Sequence, residues 1–226
     1  MSNLCQEITL PTEPIDHIDG DGEIALCILS AINLGAVKQK EELENLCDLS
    51  VRGLEELIDL QNYPVKAAEI STKARRSLGI GYIGLAHFLA KNKVKYNSKE
   101  AWKLLDEWTE AFQYYLLKSS NQLAIEKGAC TKFDRTKYSD GILPIDTYKK
   151  DVDSIVKRKL SYDWTTLRNS IKATGLRHST LSAQMPSESS SVVCNETNGI
   201  EPPRDYLSVK KSKKGPLKQI VPGYPN

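Results

Sequence analysis

At 226 residues with 40% hydrophobic side chains, the chain is long enough to bury one large core or two small ones. Its 31 basic and 29 acidic residues leave a net charge of +2, which demands no polyanionic partner. No run approaches the ~18 uninterrupted apolar residues of a membrane span, and the N-terminus lacks the charged-then-apolar layout of a secretory signal, so a soluble, cytoplasmic protein is expected.

Residues 1–21 read as a short extended piece, ITL, followed by the turn-rich stretch PTEPIDHIDGDG. EIALCILSAINLGA, at 23–36, is almost continuously apolar, and periodicity alone does not separate a strand from a buried helix there. Its first half reads as a buried strand that turns at Asn33–Gly35. From about Lys40 to Gln61, Leu43, Cys47, Val51, Leu54 and Ile58 recur every three or four residues, which predicts a helix with one buried stripe and Cys47 inside it. Pro64 ends it. A second helix is predicted over about 74–91. A third, long one is predicted over about 98–127, opened by a capping box of Asn97 and Glu100 and stopped at Gly128. Leu105, Trp108, Phe112, Tyr115 and Leu123 are its predicted buried side. Trp164 to Thr174 gives a fourth helix, stopped by Gly175; a strand-like piece and a hydroxyl-rich loop then precede a basic, turn-rich tail over 204–226. Strands alternating with helices predict an α/β fold, mainly parallel and helix-rich.

Five cysteines (5, 27, 47, 130 and 194) and three histidines (17, 87 and 178) are scattered, with no CxxC pair, so no structural metal site is expected. GIGYIG, at 79–84, satisfies the dinucleotide-binding G-x-G-x-x-G spacing, which has meaning only when a strand leads into the first glycine. Upstream lies the charged STKARRSL, so the favoured reading is a helix packed closely on a sheet through its glycines. MPSESSS, at 185–191, combines a proline-fixed turn with four hydroxyls; if a helix begins there, its N-terminal N–H groups suit an anion. NGIEPPR downstream would hold that loop against a rigid wall. At the start, Asn3, Cys5 and Glu7 alternate, so along a strand an amide, a thiol and a carboxylate share one face about 7 Å apart. No histidine lies nearby in sequence to serve as a base; the set suits redox or radical chemistry.

Taken together, SNLCQEI, GEIALCILSAINLGA, RRSLGIG, QYYLLKSSNQLA, GILPIDTYKKD, YDWTTLRNSIKATGLRHSTLSAQMPSESSS and NGIEPPR resemble the catalytic large subunit of class I aerobic ribonucleotide reductases, of bacterial and phage type. The resemblance spans nearly the whole chain in order. It implies part of a ten-stranded α/β barrel: the second half-barrel as a single partial domain over 1–226, with the finger loop in 1–21. It implies an oxidoreductase that converts ribonucleoside diphosphates to 2′-deoxyribonucleoside diphosphates for DNA precursor synthesis. Cys5 matches the thiyl radical that takes the 3′ hydrogen, Glu7 the base for the 3′-hydroxyl, and Asn3 the assisting amide. Cys27 matches one of two cysteines that become a disulfide; its partner falls outside this chain. Ser2, Asn3, Pro186, Ser187, Glu188, Ser189 and Ser190 match the substrate-binding positions, with Ser189 where threonine is common. Cys47, Cys130 and Cys194 match no functional position.

The resemblance further implies no cofactor or metal on this chain, a radical supplied by a di-iron/tyrosyl small subunit, and thioredoxin or glutaredoxin as reductant. The regulatory domain, the first half-barrel, the radical-relay tyrosines and the C-terminal cysteine pair find no match, and Tyr114 and Tyr115 do not take the relay role. The expectation is a chain cut just ahead of the radical cysteine, inactive alone and complemented by the remaining large-subunit segments, in the host cytoplasm if phage-encoded. The alternative is an inactive remnant or a non-catalytic assembly subunit. A nucleic-acid partner for Lys210, Lys211, Lys213, Lys214 and Lys218 is not expected, because the cluster is short and lacks interleaved aromatics.

Overall fold

The computed structural model describes residues 6–17, 20–213 and 215–224. Ser2, Asn3, Cys5 and Lys214 lie outside the described residues. In chain order the elements are β1 (Ile28–Asn33), α1 (Glu42–Leu60), α2 (Lys66–Arg75), β2 (Leu78–Ile83), α3 (Leu85–Lys91), α4 (Lys99–Lys127), α5 (Pro144–Thr147), α6 (Asp151–Val156), α7 (Trp164–Thr174), α8 (Glu188–Val193), β3 (Leu207–Ser212) and β4 (Gly215–Ile220).

β1 and β2 run parallel, with Ile28 opposite Leu78 and Asn33 opposite Ile83. Parallel neighbours need a long crossover, and α1 with α2 supplies it. On its other edge β2 meets residues 180–183: the Leu78 and Ile80 N–H groups donate to Thr180 O and Leu181 O, and Ala183 N–H donates to Ile80 O. A parallel bridge joins Ile80 to Ser182. Three parallel ranks therefore lie side by side, wrapped by helices. Among the described residues the sheet does not close into a barrel, and the expected half of a ten-stranded barrel is seen only as a helix-rich α/β fold with paired parallel strands.

α1 buries Leu43, Cys47, Val51, Leu54 and Ile58, the stripe that its spacing dictates. It packs against α4, whose Phe112, Leu116, Leu117 and Leu123 enter the same core. Leu105, Trp108 and Tyr115 only flank that core. The α4 cap is Ser98, whose Oγ accepts from Ala101 N–H at 3.2 Å, one residue later than the expected Asn97. Gly128 and Gly175 terminate α4 and α7 at positive φ, as their positions predict. Two expectations fail. The continuous helix over 74–91 is broken, because Arg76 adopts a left-handed conformation (φ 48°) and Leu78–Ile83 pairs as a strand. The tail is also more than turns: β3 and β4 form an antiparallel hairpin, Leu207 opposite Ile220.

The packing hub is Glu55, wholly buried on α1. Its carboxylate accepts from Arg76 Nε (2.7 Å), Arg177 Nε (2.7 Å) and His178 Nε2 (3.0 Å). His178 Nδ1 lies 2.9 Å from Ser120 Oγ, which also accepts from His178 N–H. These contacts fix one tautomer: Nε2–H donates to Glu55, and the Ser120 hydroxyl donates to Nδ1. Burial opposes ionisation of Glu55, but the bonds from His178, Arg76 and Arg177 outweigh it and hold its carboxyl far below the usual range. Burial pushes His178 downward, against the pull of Glu55.

Both directions have the same consequence. Glu55 contributes stability above the ordinary carboxylate pKa that is lost on acidification, and a His178 that resists protonation costs stability as pH falls below its ordinary value. Urea denaturation should therefore show stability declining as pH drops below about 6.5, and further below about 4.5. Glu55→Ala, which takes the shared buried acceptor from Arg76, Arg177 and His178, should cost about 3–5 kcal/mol at pH 7. An unchanged urea midpoint would remove Glu55 from the centre of the fold.

Candidate functional site

The first described residues run into the sheet. Ile8 and Leu10 are buried against Ala183, with Ala25 and Cys27 packed alongside. Alternation then turns Glu7 and Thr9 away from that apolar contact. Glu7 Oε2 is buried and has no hydrogen-bond partner among the described residues. A buried acceptor left without a donor costs about 1–3 kcal/mol, so such an oxygen points to a donor supplied from outside these residues.

Cys27 sits immediately before β1 and is half-buried. Burial first, and then the negative charge of Glu7, pushes its thiol above the ordinary value. The Glu7 carboxylate and the Cys27 thiol thus share one electrostatic environment at the head of β1. β2 alternates beside them: Leu78 and Ile80 enter the main core, whereas Gly79 and Gly81 face Cys27 and residues 183–185. A Cβ on Gly81 would lie 2.5 Å from Ala183 O, and one on Gly79 would lie 3.2 Å from Ala183 Cβ and 3.8 Å from Cys27 Sγ. Gly79 and Gly81 lie within β2 and allow close approach of the neighbouring strands, and Gly84 caps α3 at φ 76°. The expected glycine-packed helix is therefore a strand, and the first glycine does not follow one, in keeping with the disfavoured dinucleotide reading.

Beyond Ala183 the side chain of Gln184 continues the pairing: Nε2 donates to Tyr82 O (2.9 Å) and Oε1 accepts from Tyr82 N–H (3.3 Å). Met185 is buried, Pro186 is exposed, and Ser187 is buried at the start of α8. A helix does begin in the serine-rich loop, with six residues. Ser187 N–H donates to Asn198 Oδ1 at 2.7 Å, and Ser190 Oγ donates to Ser187 O at 3.3 Å. Glu188 accepts from Asn198 Nδ2 (3.3 Å) and pairs with Lys210 Nζ (3.1 Å) on β3. Ser189 and Ser190 remain exposed.

Of the expected site residues, Glu7 and Cys27 lie by the N-terminal end of β1, whereas Pro186–Ser190 follows the C-terminal end of the parallel 180–183 rank. Cys5, Asn3 and Ser2 fall outside the described residues. Asn198 and Gln184 were not expected from the sequence; Asn198 belongs to the NGIEPPR stretch, whose Asn-Gly pair reads only as a turn. The remaining thiols differ from one another. Cys47 is fully buried and faces Phe112 O at 3.8 Å, burial pushes Cys130 up to about 11, and Cys194 is exposed at the end of α8. Among the described residues no cluster of His, Cys, Asp or Glu could hold a metal, and no helix is long and apolar enough to cross a membrane.

The family model for the ribonucleotide reductase barrel domain matches residues 1–225. The chain is 59% identical over 226 residues to the ribonucleoside-diphosphate reductase subunit alpha of Haemophilus influenzae, covering all of this chain and 30% of that protein. It is 57% identical over 224 residues to ribonucleoside-diphosphate reductase 1 subunit alpha of Escherichia coli, covering 99% and 29%. It is 46% identical over 223 residues to the subunit alpha of Enterobacteria phage T4, covering 98% and 29%. The chain therefore spans about 30% of the length of the relatives it matches. A match from the first residue to the last but one, at such identities, makes the chain a member of the ribonucleotide reductase barrel-domain family.

Proposed function

We propose that the chain is the segment of a ribonucleoside-diphosphate reductase catalytic subunit that carries the reacting thiol, the base and the diphosphate-binding loop. The observation that carries this reading is the buried Glu7 Oε2, which no described residue bonds, two positions from Cys5 and on the segment that packs beside Cys27. In this reading Cys5, as a thiyl radical, takes the 3′ hydrogen of the ribose. Glu7 removes the 3′-hydroxyl proton through the carboxylate oxygen that no described residue occupies. The 2′-hydroxyl then leaves as water after protonation. Cys27 and a second thiol from another segment of the subunit give up two electrons and two protons and become a disulfide. The 3′ hydrogen returns, so Cys5 is a radical again. An intermediate of this kind must be kept from water and oxidants, which suits a site enclosed by sheet and finger loop.

Pro186–Ser190 would hold the diphosphate through exposed hydroxyls and backbone N–H groups. The radical would originate in a small subunit with a di-iron/tyrosyl centre, and thioredoxin or glutaredoxin would reduce the disulfide. The partners in this reading are those proteins, the remaining large-subunit segments and the nucleoside diphosphate. One consequence concerns Cys27 alone. A negative neighbour holds it as a thiol, the form that has a proton to give. Glu7→Gln should therefore shift its alkylation by iodoacetamide to lower pH and raise the rate at pH 8 by about two- to tenfold. Peptide mapping reads this at Cys27 separately from the other thiols; an unchanged rate would break the electrostatic pairing.

Turnover tests the whole reading. The chain should not reduce nucleoside diphosphates alone, and should do so when assembled with segments covering the rest of the catalytic subunit and with the small subunit. Cys5→Ser in that assembly should abolish reduction, by about 10⁴-fold or more, with assembly intact. Reduction by the isolated chain, or by the Cys5→Ser assembly, would sink the reading.

A further inference from the structure

Ser187 and Glu188 are held by one side chain from outside their loop. Asn198 uses both ends of its amide: Oδ1 accepts from Ser187 N–H (2.7 Å) and Nδ2 donates to Glu188 Oε2 (3.3 Å). Asn198 is itself fixed by its neighbours. Gly84 N–H donates to Thr197 O (2.9 Å) and Glu201 N–H to Asn198 O (2.9 Å). Buried Glu196 meets His87 Nδ1 at 2.9 Å, and Gln219 Nε2 on β4 donates to Glu196 O at 2.9 Å. The segment 196–198 is thus tied to the start of α3 and to the hairpin, and Asn198 reaches from this rigid edge to the serine loop.

We propose that Asn198 is a positioning residue that presets Pro186–Ser190 for the diphosphate of a nucleotide substrate, a role that rests on the substrate-loop reading above. Two physical effects combine. With the Ser187 N–H taken up, the turn into α8 holds a single direction, and the exposed Ser189 and Ser190 are presented without a search over loop conformers. Glu188 is a carboxylate inside a loop meant for an anion, and a loose negative charge there would repel the ligand. Asn198 and Lys210 together hold that charge in place.

The test uses the assembled reductase, with KM and kcat for a nucleoside diphosphate and amide hydrogen exchange at Ser187. Asn198→Ala should raise KM about tenfold, the worth of one such hydrogen bond, with kcat within about threefold of wild type. Exchange at Ser187 should accelerate in the same variant. Asn198→Asp should also raise KM, because it sets a second carboxylate against Glu188. A purely structural cap would lower kcat or assembly with KM unmoved, and would overturn the proposal, as would unchanged exchange at Ser187 in Asn198→Ala. Ser189→Ala combined with Ser190→Ala separates the two readings. If it raises KM while Asn198→Ala does not, the role of Asn198 is overturned alone; if it leaves KM unchanged, the substrate-loop reading falls and this role with it.

Discussion

The fold depends on one buried carboxylate. Glu55 binds Arg76, which lies two residues before β2, and His178, which lies two residues before the 180–183 rank. Both strands are therefore launched from the same fixed point. Parallel pairing is sensitive to register, because a slip of one residue sends every side chain to the opposite face. Fixing the starts of the two ranks fixes what faces what several residues later, where Gly81, Gln184 and the serine loop lie. The Ser120–His178–Glu55 row has the donor order of a nucleophilic triad, but Ser120, His178 and Glu55 are all fully buried, so no substrate reaches it. Its role is in alignment.

The second constraint is the two-faced character of β2. Leu78 and Ile80 face the helices and contribute to the core, and on the other face glycine takes the place of side chains. Close packing would otherwise put a Cβ into Ala183 O. The absence of side chains there lets Cys27, Ala183, Ile8 and Leu10 pack in a thin apolar layer. A thin layer brings the thiol and Glu7 within electrostatic reach, which wider packing would screen.

Strong periodicity was legible in the sequence. The α1 stripe and the glycine stops of α4 and α7 follow from residue spacing, whereas the strand expected as buried over EIALCILSA forms only at Ile28–Asn33, with Ile32 alone fully buried. Three features were not legible, each for a physical reason. The glycines of GIGYIG dilute the strand propensity of Ile80, Tyr82 and Ile83, and its extended form is secured by pairing on both edges. Arg76 in the left-handed region is stabilised by Glu55 and Asp59, contacts 21 and 17 residues away that local rules do not contain. The hairpin in the tail was hidden because its lysines and exposed apolar residues show neither a clean alternation nor an Asn-Gly turn. The candidate site residues come from the family resemblance, whereas residue chemistry alone reaches only a polar strand face and a serine loop. Asn198 escaped because an Asn-Gly pair satisfies a turn whatever its side chain reaches.

The electrostatics around Cys27 also bear on what kind of thiol it is. Nucleophilic cysteines sit beside cations, histidines or helix N-termini that favour the thiolate. Cys27 has the opposite surroundings, an apolar layer and an acidic neighbour, and both keep the proton on sulfur. A thiol held in this form is poorly suited to attack a carbon centre. It suits a group that delivers hydrogen and electrons and whose product is a disulfide, since that chemistry consumes the proton as well as the charge. In the proposed reading the neighbouring carboxylate takes up a proton while Cys27 gives one, so the two residues would have opposite tasks on one substrate.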